Sequence, residues 1–178
     1  MFEYKITLDD NDYLIFNQYH LLNSNSGKKY LKTTRFFVPF IFFMFVVIFC
    51  IAGADFELIL IEAILMTILS VLWIGFSEKL ILKSMNKRIL KMKRESRLPY
   101  SNEAILKFDE EKIHEITPNT ENKTNYSMVE KIIATERAIY IYFSSVQAYI
   151  LPVTVFSEEM EKREFLKFIN GKVDFFKV

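Results

Sequence analysis

FFVPFIFFMFVVIFCIAGADFELILIEAILMTILSVLWIGF, residues 36–76, decides how the rest of the chain is read. Its charges are Asp55, Glu57 and Glu62. As one helix, about 41 residues rising ~1.5 Å each would reach roughly 60 Å, twice the ~30 Å hydrocarbon core of a bilayer. Cut in two, each half has about the 20 residues that one span requires. The cut is visible at Ala52-Gly53-Ala54-Asp55-Phe56-Glu57. Glycine is a weak helix former, the carboxylates are costly in hydrocarbon, and Glu57 suits the positive end of a second helix. The stretch predicts two membrane spans, 36–54 and 56–76, joined by a very short turn. Pro39 falls in the opening turn of the first, where proline is tolerated. A soluble hairpin this apolar on all faces would need more protein around it than the remaining chain supplies. A secretory signal would begin nearer Met1 and end in small residues.

Lys28, Lys29, Lys32 and Arg35 precede the first span, and Lys79, Lys83, Lys87, Arg88, Lys91, Lys93, Arg94 and Arg97 follow the second. The turn between has no basic residue. Cations flanking spans mark the cytoplasmic side, which predicts a two-span protein of the cell membrane with both termini in the cytoplasm.

Outside residues 36–76 the chain reads as a charged globular protein. Residues 1–97 carry 13 basic and 9 acidic side chains, and residues 98–178 carry 10 and 13. The acidic balance of the second half argues against nucleic acid as a partner. The single cysteine, Cys50, lies in the apolar run and excludes an internal disulfide or a cysteine-based zinc site.

Working outward, residues 2–7 alternate as a strand. Asp9 or Asp10 caps a helix running to about Leu22, with Ile15, Tyr19 and Leu22 on one face. Residues 23–27 form a break. Beyond the second span a helix continues over 77–95, with Leu82, Met85, Ile89 and Met92 as a narrow apolar seam. Beside it Lys79, Lys83, Lys87 and Lys91 form an i,i+4 row, joined by Arg88. These cations are candidate contacts for anionic lipid headgroups, and at the least they fix topology and solvate the helix. Leu98-Pro99 ends the helix. Short alternating runs follow at 104–108, 112–117, 123–126, 131–135, 138–143 and 148–153, with a turn at 118–122, as in an antiparallel meander. Ser157 then caps a final helix with Phe165, Phe168 and Ile169 on one face and Gly171 as its stop. The organisation expected is a cytosolic start (1–35), a transmembrane hairpin (36–76), a basic juxtamembrane helix (77–97) and a β-rich cytosolic domain (98–178). The fold class is α+β: a two-helix hairpin with an antiparallel meander or barrel closed off by one helix, the layout of a small pleckstrin-homology-like domain.

Specific residues carry a likeness. Phe2-Glu3-Tyr4-Lys5-Ile6-Thr7-Leu8 with the run Tyr13-Leu14-Ile15-Phe16-Asn17-Gln18-Tyr19-His20 resembles the opening of the YcxB-like family of bacterial membrane proteins. So do Ala138-Ile139-Tyr140-Ile141-Tyr142, Gln147-Ala148-Tyr149-Ile150-Leu151-Pro152 and Phe156-Ser157-Glu158-Glu159. A departure is Tyr126, where the family pattern is expected to carry tryptophan. The resemblance covers nearly the whole chain and implies location and fold more than activity. It also implies a kinship with membrane-anchored pleckstrin-homology-like proteins, some of which confer self-immunity against peptide toxins.

Chemistry is sparse. His20 and His114 have no metal-ligand spacing around them, and four glycines supply no phosphate-cradling loop. No catalytic residue, cofactor or metal is expected, and the chain is not read as an enzyme. Asp109-Glu110-Glu111 belongs to a hairpin turn facing water. Glu62, inside the second span, is a candidate intramembrane acid. Gln147, Tyr149 and Leu151 mark a candidate edge for docking a partner strand. The expected partners are membrane lipids and a protein at the inner membrane face. The function read from the sequence is a binding module for protein or lipid at the inner leaflet, with immunity against a membrane-active peptide as the alternative.

Overall fold

The computed structural model describes residues 1–95, 101–173 and, as backbone, 176–177. The break expected at Leu98-Pro99 lies outside the described residues. The chain divides into two compact units, Met1–Phe16 with Leu98–Val178, and Asn17–Arg97.

In the second unit the apolar stretch becomes two packed antiparallel helices, α2 (Asn25–Ile51) and α3 (Phe56–Arg94). Gly53 makes the turn between them at φ 73°, a left-handed conformation that costs side-chain-bearing residues about 1–2 kcal/mol. Both helices are long and apolar enough to cross a bilayer, and nothing in the most apolar window of either is buried. A soluble protein would hide such surface; here Phe40, Phe43, Ile61 and Val71 turn outward. These are the proportions of a membrane protein. α3 continues without interruption past residue 76, as its sequence predicts, and ends at Arg94.

Three local expectations are corrected. The break at 23–27 shrinks to Ser24, which ends α1 (Asp10–Asn23) and caps α2, its Oγ accepting from the Gly27 N–H at 3.0 Å. Gly27 is required by close approach, since a Cβ there would collide with the Leu21 carbonyl. Because α2 starts so early, Pro39 lies inside the helix and not in its first turn. It cannot donate to the carbonyl one turn before it, a loss tolerated in membrane helices when neighbouring groups compensate. The third correction concerns α1. Its buried residues are Tyr13 and Phe16, while Ile15, Tyr19 and Leu22 are half-buried. Asp9 is its cap: Asp9 Oδ1 accepts from the Asp12 N–H at 2.8 Å, and Asp12 Oδ2 accepts from the Asp9 N–H at 3.0 Å.

The other unit holds two four-stranded sheets and a helix. β1 (Phe2–Thr7), β2 (Glu103–Phe108), β3 (Lys112–Ile116) and β4 (Glu121–Asn125) form one antiparallel sheet in that order. The second sheet runs β7 (Ala148–Pro152), β6 (Ala138–Tyr142), β5 (Lys131–Ala134), β8 (Phe176–Lys177), with β8 parallel to β5. The meander form of the expectation holds, and the described strands close no barrel. β4 starts at Glu121, inside the predicted turn, because Thr117 and Thr120 tighten that turn with a 2.8 Å backbone bond. Tyr126 leaves the strand in a short 3-10 turn.

α4 (Glu159–Asn170) covers the core. Its cap position is Glu158 and not Ser157. The Ser157 N–H is taken instead by Glu161 Oε2 at 2.8 Å. Gly171 does end the helix, but at φ −74°, so it does so without the left-handed turn that glycine usually provides. Phe165 is fully buried, its ring 5.5 Å from Phe2, 5.4 Å from Tyr4, 4.8 Å from Phe108 and 5.6 Å from Phe156. Aromatic rings from β1, β2 and α4 thus meet at one point. Phe165→Ala should destabilise the fold by about 3–5 kcal/mol, measured by denaturant unfolding of the detergent-solubilised protein through the tyrosine signal.

Candidate functional site

Within the hairpin, two polar links tie α2 to α3. Arg35 Nη2 donates to Glu78 Oε2 at 3.0 Å, and Trp73 Nε1 donates to the Thr34 carbonyl at 3.2 Å. The carbonyl of Thr34 directly precedes the one that Pro39 leaves without its donor. Arg35 Nε is buried without a partner, so Glu78 answers only part of the guanidinium. Thr67 and Ser70 spend their hydroxyls on their own helix, on the carbonyls of Ala63 and Met66, both at 2.7 Å.

Glu62 is half-buried on α3, and its Oε2 is buried with no hydrogen-bond partner. A buried polar atom left this way carries a cost. The basic residues Lys79, Lys83, Lys87, Arg88 and Lys91 are all exposed along α3. The adjacent seam turns inward, with Ile89 buried and Leu82, Met85 and Met92 half-buried. Asn86 accepts from Gln18 Nε2 at 3.2 Å on this side.

The candidate docking edge is placed differently from its expected form. β7 does end its sheet, with β6 as its one described neighbour. The Val153 N–H bonds the Arg137 carbonyl at 2.8 Å and the Phe143 N–H bonds the Gln147 carbonyl at 3.2 Å. In an antiparallel ladder this phase aims the backbone of Gln147, Tyr149 and Leu151 at β6 and leaves Ala148 and Ile150 on the open side. Tyr149 and Leu151 are buried side chains of the core, and Gln147 alone of the three is exposed. The three therefore do not form a docking face. Tyr149 has another role: its hydroxyl lies 2.7 Å from Thr124 Oγ1, a buried bond joining β7 of one sheet to β4 of the other. Burial raises the Tyr149 pKa, opposed by that bond.

The turn at Asp109 is more organised than an acidic cluster facing water. Asp109 Oδ1 accepts from the N–H groups of Glu111 at 2.8 Å and Lys112 at 2.6 Å, and Oδ2 lies 2.8 Å from His114 Nε2. The Glu111 bond, then the Lys112 bond, hold the Asp109 carboxyl below the usual carboxylate range, and His114 adds to them against desolvation. The Tyr126 hydroxyl donates to the Asp109 carbonyl at 3.0 Å, and Lys172 pairs with Glu110. Burial raises the pKa of Tyr126. It also raises that of Tyr4, whose hydroxyl has no well-formed hydrogen bond but lies near the Glu161 carboxylate. Among the described residues no group of three His, Cys, Asp or Glu side chains is placed to hold a metal ion.

Residues 108–169, from the end of β2 through most of α4, match the family model described as YcxB-like protein. This segment resembles the YcxB-like family. The match agrees with the resemblance carried by the residues of β6, β7 and the start of α4. No curated protein and no solved structure gives a significant match. The Thr124–Tyr149 tie lies inside the YcxB-like segment, whereas the hairpin and β1 lie outside it.

Two outcomes follow from these contacts. Thr124→Val should cost about 1–3 kcal/mol by leaving the Tyr149 hydroxyl unsatisfied, and adding Tyr149→Phe should recover part of that loss in a double-mutant cycle. For Asp109, a folded-state pKa below the unfolded value adds stability above the ordinary carboxylate range, lost as pH falls through the folded pKa. Unfolding followed from pH 7 down to about pH 2 should show a shallower acid loss in Asp109→Asn than in the parent below about pH 4.

Proposed function

We propose that the chain is a non-enzymatic integral membrane protein with both ends in the cytoplasm. Its YcxB-like unit, of pleckstrin-homology-like kind, binds a protein or lipid headgroup at the inner leaflet. The observation that carries this reading is the ladder from Phe2↔Phe108 to Thr7↔Glu103. β1 precedes the hairpin and β2 follows it, so pairing them requires both flanks on one side of any bilayer that α2 and α3 cross. The exposed cations of α3 favour the cytoplasmic side for those flanks. They also supply about 1 kcal/mol each toward an anionic surface. Exposed Met128, Val146 and Met160 offer apolar contacts to such a partner.

The test is photo-crosslinking of the full-length protein in its native membrane, with a photoreactive residue placed in turn at exposed Lys123, Val146 and Met160. A discrete protein or lipid adduct at one or more positions is expected. Absence of any adduct at all three would contradict the binding reading, and challenge of a deletion strain with membrane-active peptides would then test the immunity alternative.

A further inference from the structure

A shallow groove of about 410 Å³ runs along the hairpin, lined by Phe42 of α2 and by Leu69, Leu72, Trp73 and Phe76 of α3. Lys79 and Leu80 complete its lining, and Lys79 is the one charged residue there. From Leu69 to Leu80 the helix climbs roughly 17 Å, close to the thickness of one leaflet of a ~30 Å core. The groove is apolar because its one aromatic N–H is already used: the Trp73 indole donates to Thr34. The neighbouring carboxylate is used as well, since Glu78 pairs with Arg35 at 3.0 Å. Among the described residues no carboxylate pairs with Lys79, and exposed Lys83 and Lys87 extend its charge at four-residue spacing along α3.

An apolar trough of leaflet length ending at an unneutralised ammonium matches the two parts of one molecule. We propose that the groove holds a single anionic phospholipid, one acyl chain lying along Leu69, Leu72 and Phe76 against Phe42, and its phosphate on Lys79. The proposal rests on the reading that α2 and α3 span the membrane, and adds a specific lipid seat to it. A general attraction of the basic row for anionic surface would spread over Lys79, Lys83, Lys87 and Lys91 alike. A seat would depend on Lys79 alone and on the shape beside it.

The experiment is native mass spectrometry of the full-length protein in detergent, offered phosphatidylglycerol and phosphatidylcholine with identical chains. One phosphatidylglycerol should be retained in preference to phosphatidylcholine. Lys79→Gln should cut that preference about fivefold, the equivalent of one lysine at an anionic surface. Lys87→Gln, outside the groove lining, should cost clearly less than Lys79→Gln, and Leu72→Trp, which fills the groove from an exposed position, should reduce retention of both lipids. Equal retention of the two lipids by the parent protein would overturn the proposal without any variant, as would equal losses from Lys79→Gln and Lys87→Gln. Extraction of native membranes at alkaline pH separates the two ideas. A chain released into the soluble fraction fails the membrane reading itself, whereas a chain that stays with the lipid but shows no preference fails the groove alone.

Discussion

The antiparallel pairing of Phe2–Thr7 with Glu103–Phe108 is the constraint on which the rest depends. It closes a loop of chain that contains α1, α2 and α3 in full. Whatever that intervening segment does, it must leave and return. A helix of the length of α2 needs a second of comparable apolar length to come back through hydrocarbon, and α3 provides it. Tyr4 and Ile6 fix the pairing from the core side. They are buried with Leu106, Phe108 and Phe165, so a one-residue slip of β1 would turn its apolar set to the wrong face.

The two units solve the burial problem in opposite ways. In the β unit both faces of β6 are covered: Ile139 and Ile141 face the main core, while Tyr140 and Tyr142 meet Phe16 at ring separations of 5.2 and 6.1 Å. In the hairpin the apolar residues face outward, and the polar groups find partners within the helix pair. Arg35, Glu78, Trp73 and Thr34 answer one another across the helices, and Thr67 and Ser70 fold their hydroxyls back on their own backbone. Arg35 Nε and Glu62 Oε2 are the exceptions, each buried and unanswered. Such internal pairing of polar groups is what hydrocarbon demands of a helix pair and water does not.

Much of this was legible in the sequence. The alternation in Phe2–Thr7 and the runs that became β2, β3, β5, β6 and β7 declared themselves, because each commits at least one face to a core. The hairpin was legible from length alone, and Gly53 from its neighbours. What was not legible depended on partners distant in the chain. Asn23-Ser24-Asn25-Ser26-Gly27 has the composition of a loop, yet only Ser24 breaks the helix. The packing of Gly27 on Leu21 favours an immediate restart. The buried face of α1 was set by Tyr140 and Tyr142 rather than by the helix's own periodicity. β7 was recognised as an edge, but its alternation could not reveal that both of its faces would be covered or which backbone groups the ladder would leave open. The Thr124–Tyr149 and Arg35–Glu78 bonds join residues far apart in sequence, and nothing local announced either.

The most direct test of the central claim is cysteine accessibility in intact cells, in a Cys50→Ser background with single cysteines at Ala54, Asn11 and Asn122. The account predicts that a membrane-impermeant maleimide labels the cysteine at Ala54 from outside, while those at Asn11 and Asn122 react only after the membrane is permeabilised. Labelling of Asn11 and Asn122 on opposite sides of the membrane, or of either from outside, would contradict it.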